Sequence, residues 1–142
     1  MRLKGRTVEY RTFEDLDTYK VAREFRKKMY NLARELPESE KYNLIGQIRR
    51  ASLCLTNCIA EGHGRFHYQE NIQFLRQSRG SLEELIDDIN ICIDERYAEL
   101  DRLNELKKRR IRSIEEAKRV YQVLAQMQTA RQGSVTNKRR TI

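Results

Sequence analysis

Tryptophan is absent from this 142-residue chain, proline occurs once, glycine six times, and aromatic residues make up only 8%. So few turn-forming residues cannot serve the many chain reversals of a sheet protein, and an all-β fold is nearly excluded. No apolar stretch approaches the ~20 residues needed to span a bilayer. The basic opening Met1-Arg2-Leu3-Lys4-Gly5-Arg6 has no apolar segment behind it, so the chain is expected to be cytoplasmic, without a membrane partner. The three cysteines, an odd number, argue for reduced thiols rather than a disulfide framework. Nor is there a Gly-rich phosphate loop, a Gly-x-Ser-x-Gly elbow or an HExxH motif, and the carboxylates mostly stand beside Lys or Arg. The expectation is therefore a protein that is not an enzyme, with no catalytic residues, no metal and no cofactor.

Charge is what the chain has in abundance. Charged residues account for 35% of it, and 29 Lys+Arg against 21 Asp+Glu leave a net +8. Residues 1–12 carry Arg2, Lys4, Arg6 and Arg11 against Glu9, and residues 131–142 carry Arg131, Lys138, Arg139 and Arg140 with no acid. The body between them is close to neutral. Both ends lack apolar periodicity, and the last contains Gly133-Ser134-Val135-Thr136-Asn137, so they read as a basic N-terminal arm and a basic C-terminal tail, both mobile. Arms of this kind meet phosphate backbones, although a merely solvated tail has the same composition.

The body, residues 13–130, reads as four helices. Leu16, Tyr19, Ala22, Phe25, Met29, Leu32, Ala33 and Leu36 recur every three or four positions, which places them on one helical face. Thr12 with Asp15 forms a capping pattern at its start, and Pro37 ends it. A second stripe, Leu44, Ile48, Ala51, Leu55 and Ile59, starts near Ser39 or Glu40 and stops at Gly62-His63-Gly64, where the glycines allow left-handed backbone angles. A third holds from Tyr68 through Ile72, Leu75, Leu82, Leu85, Ile86, Ile89 and Ile93 to Tyr97. After a short break around Ala98 to Asp101, with Asp101 as a cap, the fourth carries Leu103, Leu106, Ile111, Ile114, Ala117, Tyr121, Leu124 and Gln128. Short connections between amphipathic helices favour an antiparallel four-helix bundle, up-down-up-down and all-α. A three-helix bundle that donates the narrow-striped fourth helix to a partner is the rival arrangement.

Among residues able to carry chemistry, His63 and His67 are four positions apart, but Gly62 and Gly64 break the helix there and solvated turn histidines are expected. Cys54, Cys58 and Cys92 read as small buried hydrophobes. The set Arg49, Arg50, Glu61, Arg79, Glu83 and Glu84, with Gln47, lies near the stripes of the second and third helices. Folding those helices about Gly64 brings Arg49 or Arg50 near Glu83, a pair that would hold the register. Gly80 in mid-helix costs about 1 kcal/mol relative to alanine, which points to close helix approach, within the chain or between subunits. Lys107-Lys108-Arg109-Arg110-Ile111-Arg112 is a dense basic block in which only Ile111 belongs to the core stripe. Glu105, Glu115 and Glu116 partly neutralise it, so phosphate binding and a solvated face both fit. The block has no aromatics, and base stacking is not supported.

Phe13-Glu14-Asp15-Leu16, Gln47-Ile48-Arg49-Arg50-Ala51, Ile59-Ala60-Glu61-Gly62 with Gly64-Arg65, and Ser78-Arg79-Gly80-Ser81-Leu82 with Glu84-Leu85 follow one another in a specific order. In these segments, over roughly residues 13–125, the chain resembles the intervening-sequence proteins of 23S ribosomal RNA genes. Departures are Cys58, with Asn57 beside it, where that family usually has Asn, Thr56 for a frequent proline, Cys54 for serine and Asn43 for glycine. The absent proline predicts a straighter second helix. The resemblance implies a four-helix bundle assembling as a ring, typically a homopentamer, and a relation to the accessory variability determinant of diversity-generating retroelements, which works with a reverse transcriptase and nucleic acid.

Together these features predict a ring-forming scaffold that binds RNA or DNA through phosphates with little sequence specificity. Its nucleic-acid-binding residues are expected to be Arg2, Lys4, Arg6, Lys107, Lys108, Arg109, Arg110, Arg112, Lys138, Arg139 and Arg140. Repetition around a ring multiplies a weak contact into avidity. The alternative is a protein-interaction scaffold for a polymerase such as a reverse transcriptase, the charge serving steering or solubility.

Overall fold

The computed structural model describes residues 12–65 and 68–109 together with Arg119, Gln122 and Gln126. Among the described residues there are four helices and no strand: α1 Asp17–Glu35, α2 Leu44–His63, α3 Tyr68–Asp94, and α4, which begins at 100 and is described to 109.

Thr12 and Asp15 do pair, but on a short 3-10 turn, Phe13–Asp15, rather than on α1 itself. The Thr12 amide donates to Asp15 Oδ2 at 3.2 Å, and Leu16, in extended backbone, separates this turn from α1. α2 likewise starts later than Ser39 or Glu40. Glu38–Glu40 is a separate 3-10 turn after Pro37, and the Glu40 carboxylate reaches forward to accept the Leu44 amide at 3.2 Å. The first amides of a helix have no partner within it, and an anion placed there satisfies one of them and complements the helix dipole.

The two glycines at the end of α2 act differently from the sequence expectation. No described glycine has a positive φ. Gly64 closes the helix in right-handed backbone, its amide shared between the carbonyls of Ala60 and Glu61. Gly62 is buried for reasons of space: a Cβ there would lie 2.7 Å from Asn71 Oδ1 and 2.9 Å from Phe74 Cβ. The close approach of α2 and α3 therefore falls at Gly62. At Gly80 an added Cβ meets nothing within 4 Å, so no described part of the chain approaches it.

The left-handed position sits at the other end of α3, on Arg96, with φ 56°. The Tyr97 amide bonds Cys92 O at 3.0 Å and the Arg96 amide bonds Ile93 O at 3.2 Å, the paired pattern that closes a helix with one left-handed residue. α4 follows at once. The Leu103 amide donates to Glu99 O, so the helix starts ahead of Asp101, which lies inside it rather than capping it.

One core draws on all four helices. Phe25, Met29 and Leu32 from α1, Ile48 from α2, Leu85 and Ile89 from α3 and Leu103 from α4 are completely buried. Each such side chain contributes about 1.5–3 kcal/mol of transfer free energy. α2 packs most extensively against α3 and next against α1. Ser78 Oγ donates to Leu55 O at 2.7 Å inside the α2–α3 seam, and Arg26 Nη1 donates to Thr56 Oγ1 at 2.8 Å between α1 and α2. Thr56 thus supplies an acceptor that a proline lacks. No helix of the described residues is long and apolar enough to cross a membrane.

Candidate nucleic-acid interface

Three members of the basic block, Lys107, Lys108 and Arg109, lie within the described residues. Consecutive helical positions are about 100° apart, so they fan around α4 instead of sharing a face. Lys107 is half-buried and turns to α3, where Nζ donates to Asn90 Oδ1 at 2.8 Å. Lys108 is exposed and approaches Glu105 at 4.0 Å. Arg109 points to the other side, toward α1. Leu103 and Leu106 hold the opposite face in the core, which is why the block stays at the surface.

α1 and α4 form a shallow groove of about 310 Å³ lined by Lys28, Asn31, Arg102, Glu105, Leu106 and Arg109. Arg102 crosses it to pair with Glu35 of α1. The described lining holds three cations against one carboxylate, an electropositive set in which part of the basic block meets a helix that the sequence expectation left out. Elsewhere on α1, Lys20, Arg23 and Lys27 stand exposed. Lys27 pairs with Glu24 at 3.0 Å, and that cation holds the Glu24 carboxyl below its usual range. The signal for these residues was present in the sequence as cations three and four positions apart, off the apolar stripe. A near-neutral total for the body masks it, because such a total averages over all faces.

The polar set on α2 and α3 is brought together only in part. Arg50 Nη2 meets Glu84 Oε1 at 2.8 Å, so the pair expected between Arg49 or Arg50 and Glu83 forms with Glu84 instead. Glu84 lies on the α2 side of α3, whereas Glu83, a further 100° round, is exposed. Glu61 pairs within its own helix end, accepting from Arg65 Nη2 at 2.8 Å. Arg49 and Arg79 are exposed.

Asp88, one turn beyond Glu84, is a buried carboxyl that sequence reasoning missed. It is 2% exposed and its Oδ2 has no hydrogen-bond partner among the described residues. Burial, reinforced by Glu84 and Asp87 and opposed by Arg50, pushes it up to about 6. No sequence period announces it, because an aspartate at the edge of a stripe reads as surface.

The cysteines are free thiols. Cys54 Sγ and Cys58 Sγ lie 3.3 Å apart, and Cys58 also contacts Gln77 Oε1 at 3.6 Å. Burial, with Cys54 alongside, pushes Cys58 up to about 12, and burial pushes Cys92 up to about 11. Thiols held neutral in this way are poor nucleophiles and poor metal ligands. Among the described residues no three of His, Cys, Asp and Glu group to hold a metal ion, and His63 is exposed in the last turn of α2. His67, Arg2, Lys4, Arg6, Arg110, Arg112, Lys138, Arg139 and Arg140 lie outside the described residues.

Residues 14–116 match a protein family described as 23S rRNA-intervening sequence protein, a span that begins within the 3-10 turn at Phe13–Asp15 and covers α1, α2, α3 and α4 as far as 109. No curated protein matches the chain.

Proposed function

The chain belongs to the 23S rRNA-intervening sequence protein family, and from that premise we propose that it is a non-enzymatic, ring-forming scaffold that binds RNA or DNA through phosphate contacts. It reads little base sequence and acts in the cytoplasm, in a ribonucleoprotein or retroelement context. The observation that carries this reading is the disposition of α4. Leu103 and Leu106 are sunk in the core while Lys108 and Arg109 are exposed, and Lys107 half-exposed, on a chain with net charge +8. Counterion release from phosphates favours such a surface whatever the sequence of the nucleic acid.

In this proposal the body is an up-down-up-down antiparallel bundle over residues 13–130, flanked by basic arms at 1–12 and 131–142 that add to the phosphate contacts. The crossing pairs Arg50–Glu84, Leu55–Ser78 and Cys58–Gln77 support the antiparallel placement of α2 and α3, since numbers rise on one helix as they fall on the other. Self-association, which the family resemblance makes a pentamer, is supported by Leu53 and Leu100, 45% and 57% exposed, and by the open space beside Gly80 among the described residues.

The test is fluorescence anisotropy of the full chain on structured RNA, duplex DNA and single-stranded DNA across a salt series, with oligomeric mass measured by light scattering. Steep salt dependence and similar affinity for the three probes are expected; absence of binding at low salt rejects the proposal. The exposed leucines also favour a second reading, a docking scaffold for a polymerase such as a reverse transcriptase. Binding of that enzyme with an unchanged salt response of nucleic-acid affinity would select it.

A further inference from the structure

The described exposed face of α1 carries Lys20, Arg23, Lys27 and Arg34, close to one cation per turn over a helix of 19 residues. At 5.4 Å per turn they form a straight, rigid row. The large exposed apolar side chains of the described structure are Tyr42, Leu53, Ile91 and Leu100, none of them on α1. A protein partner buries an apolar centre, whereas a nucleic-acid interface is polar and strongly positive. Charge presented in a row without an apolar centre therefore fits a sugar–phosphate backbone better than a protein.

We infer that α1 carries the main phosphate-binding surface of this protein: the row Lys20, Arg23 and Lys27 and, about 100° round the helix from Lys27, the α1–α4 groove of Lys28, Arg102 and Arg109, the two flanking the backbone of one nucleic-acid duplex. This rests on the phosphate-binding reading above and locates it on a helix that the basic block and the arms do not include. The carboxylates nearby do not close the site. Glu24 holds Lys27, Glu35 holds Arg102 and Glu105 approaches Lys108, all at the surface. Exposed pairs of this kind are weakly held, and a phosphate can take the cation from them. Lys20, Arg23 and Lys28 have no ion-pair contact within 4.0 Å of a described carboxylate, although Arg23 and Lys28 lie close enough to Glu24 to act on it, so a phosphate displaces at most a weak attraction there. Among the described residues the block contributes Arg109 to the groove, while Lys107 turns to α3 and Lys108 does not line it.

The deciding experiment uses the full chain and two probes of one sequence, a 20-base-pair RNA duplex and the corresponding DNA duplex, in salt-series anisotropy. The variant Lys20→Gln/Arg23→Gln/Lys28→Gln is compared with a control of equal charge loss elsewhere, Lys41→Gln/Arg49→Gln/Arg79→Gln. The α1 variant should weaken binding by about tenfold per cation removed near 0.1 M salt and lower the salt slope by about 2–3, with the control changed less than threefold. Circular dichroism establishes that both fold, and Lys20→Gln/Arg23→Gln, at exposed positions only, repeats the test should the half-buried Lys28 matter for stability. Equal losses in the two variants overturn the α1 assignment while leaving phosphate binding in place. Failure of the unaltered chain to bind either duplex removes both. Equal affinity for RNA and DNA assigns the contacts to phosphate alone, and preference for RNA adds contact to the 2′-hydroxyl.

Discussion

Tyr97 Oη donates to Glu40 Oε1 at 2.9 Å, while the other oxygen of the same carboxylate accepts the Leu44 amide at 3.2 Å. A single side chain thus caps α2 and ties it to the segment between α3 and α4, 57 positions away. The bond also raises the Tyr97 hydroxyl above its usual range, since the nearby carboxylate disfavours a second negative charge. Replacing Glu40 by alanine removes the cap and the tie together, and a loss of about 1–3 kcal/mol is expected in urea unfolding. Tyr97→Phe removes only the tie and should cost about 0.5–1.5 kcal/mol. The double variant should cost less than the sum of the two, because both report the same bond. Strict additivity would show that the bond contributes nothing.

Arg96 occupies the left-handed position that ends α3, where a Cβ is unfavourable by roughly 1–2 kcal/mol. Arg96→Gly should stabilise the protein by about 0.5–1 kcal/mol, the added chain entropy of glycine in the unfolded state offsetting part of the relief. A lower urea midpoint for the variant would instead assign the arginine side chain a stabilising contact larger than the strain.

Gly62 and Gly80 should respond to alanine with opposite signs. At Gly62 the new methyl would press on Phe74 Cβ, which is fixed to the α3 backbone, and a loss of about 1–3 kcal/mol is expected. At Gly80 space is open and helix propensity favours alanine by about 1 kcal/mol. Thermal melts at low protein concentration read the folding effect, and light scattering reads any loss of assembly in Gly80→Ala. Equal destabilisation by both would contradict the packing described here.

Asp88 predicts an inverted pH response. Its folded-state value, about 6 against an ordinary 3.8, means that between these values the native protein holds a proton that the unfolded chain has released. Stability from this group therefore falls as pH rises through that window, and the full cost stands above pH ~6. Asp88→Asn should raise stability by about 1–3 kcal/mol at neutral pH, with the difference fading toward pH ~4. A gap between variant and parent that is the same at both pH values would show that the carboxyl does not titrate in this way.

Much of the architecture was legible because helical periodicity is local. Leu16 to Leu36 and Leu44 to Ile59 could be assigned to buried faces from their spacing, and each is buried or packed on the core. The boundaries were less legible: the pattern at Thr12 and Asp15 caps a 3-10 turn, and Glu40 caps α2 through its side chain from four residues away. Capping signals name the residue types at a helix end but not the turn in which they act. The candidate interface was legible as composition and not as geometry. Six consecutive positions from Lys107 read as one block, yet the three that are described point in three directions.

Residue order alone determined that the chain is helical, which side of each helix is apolar, and that cations outnumber carboxylates, since these follow from local spacing and composition. Tertiary structure decided which groups meet: Arg50 with Glu84, Tyr97 with Glu40, and Lys28 of α1 with Arg102 and Arg109 across one groove. It also decided that Gly62, not Gly80, is where α2 and α3 come close, and that Asp88 is buried. The physical reason is that a helix presents its faces every 3.6 residues regardless of its neighbours, whereas register between helices is settled by packing of the whole core.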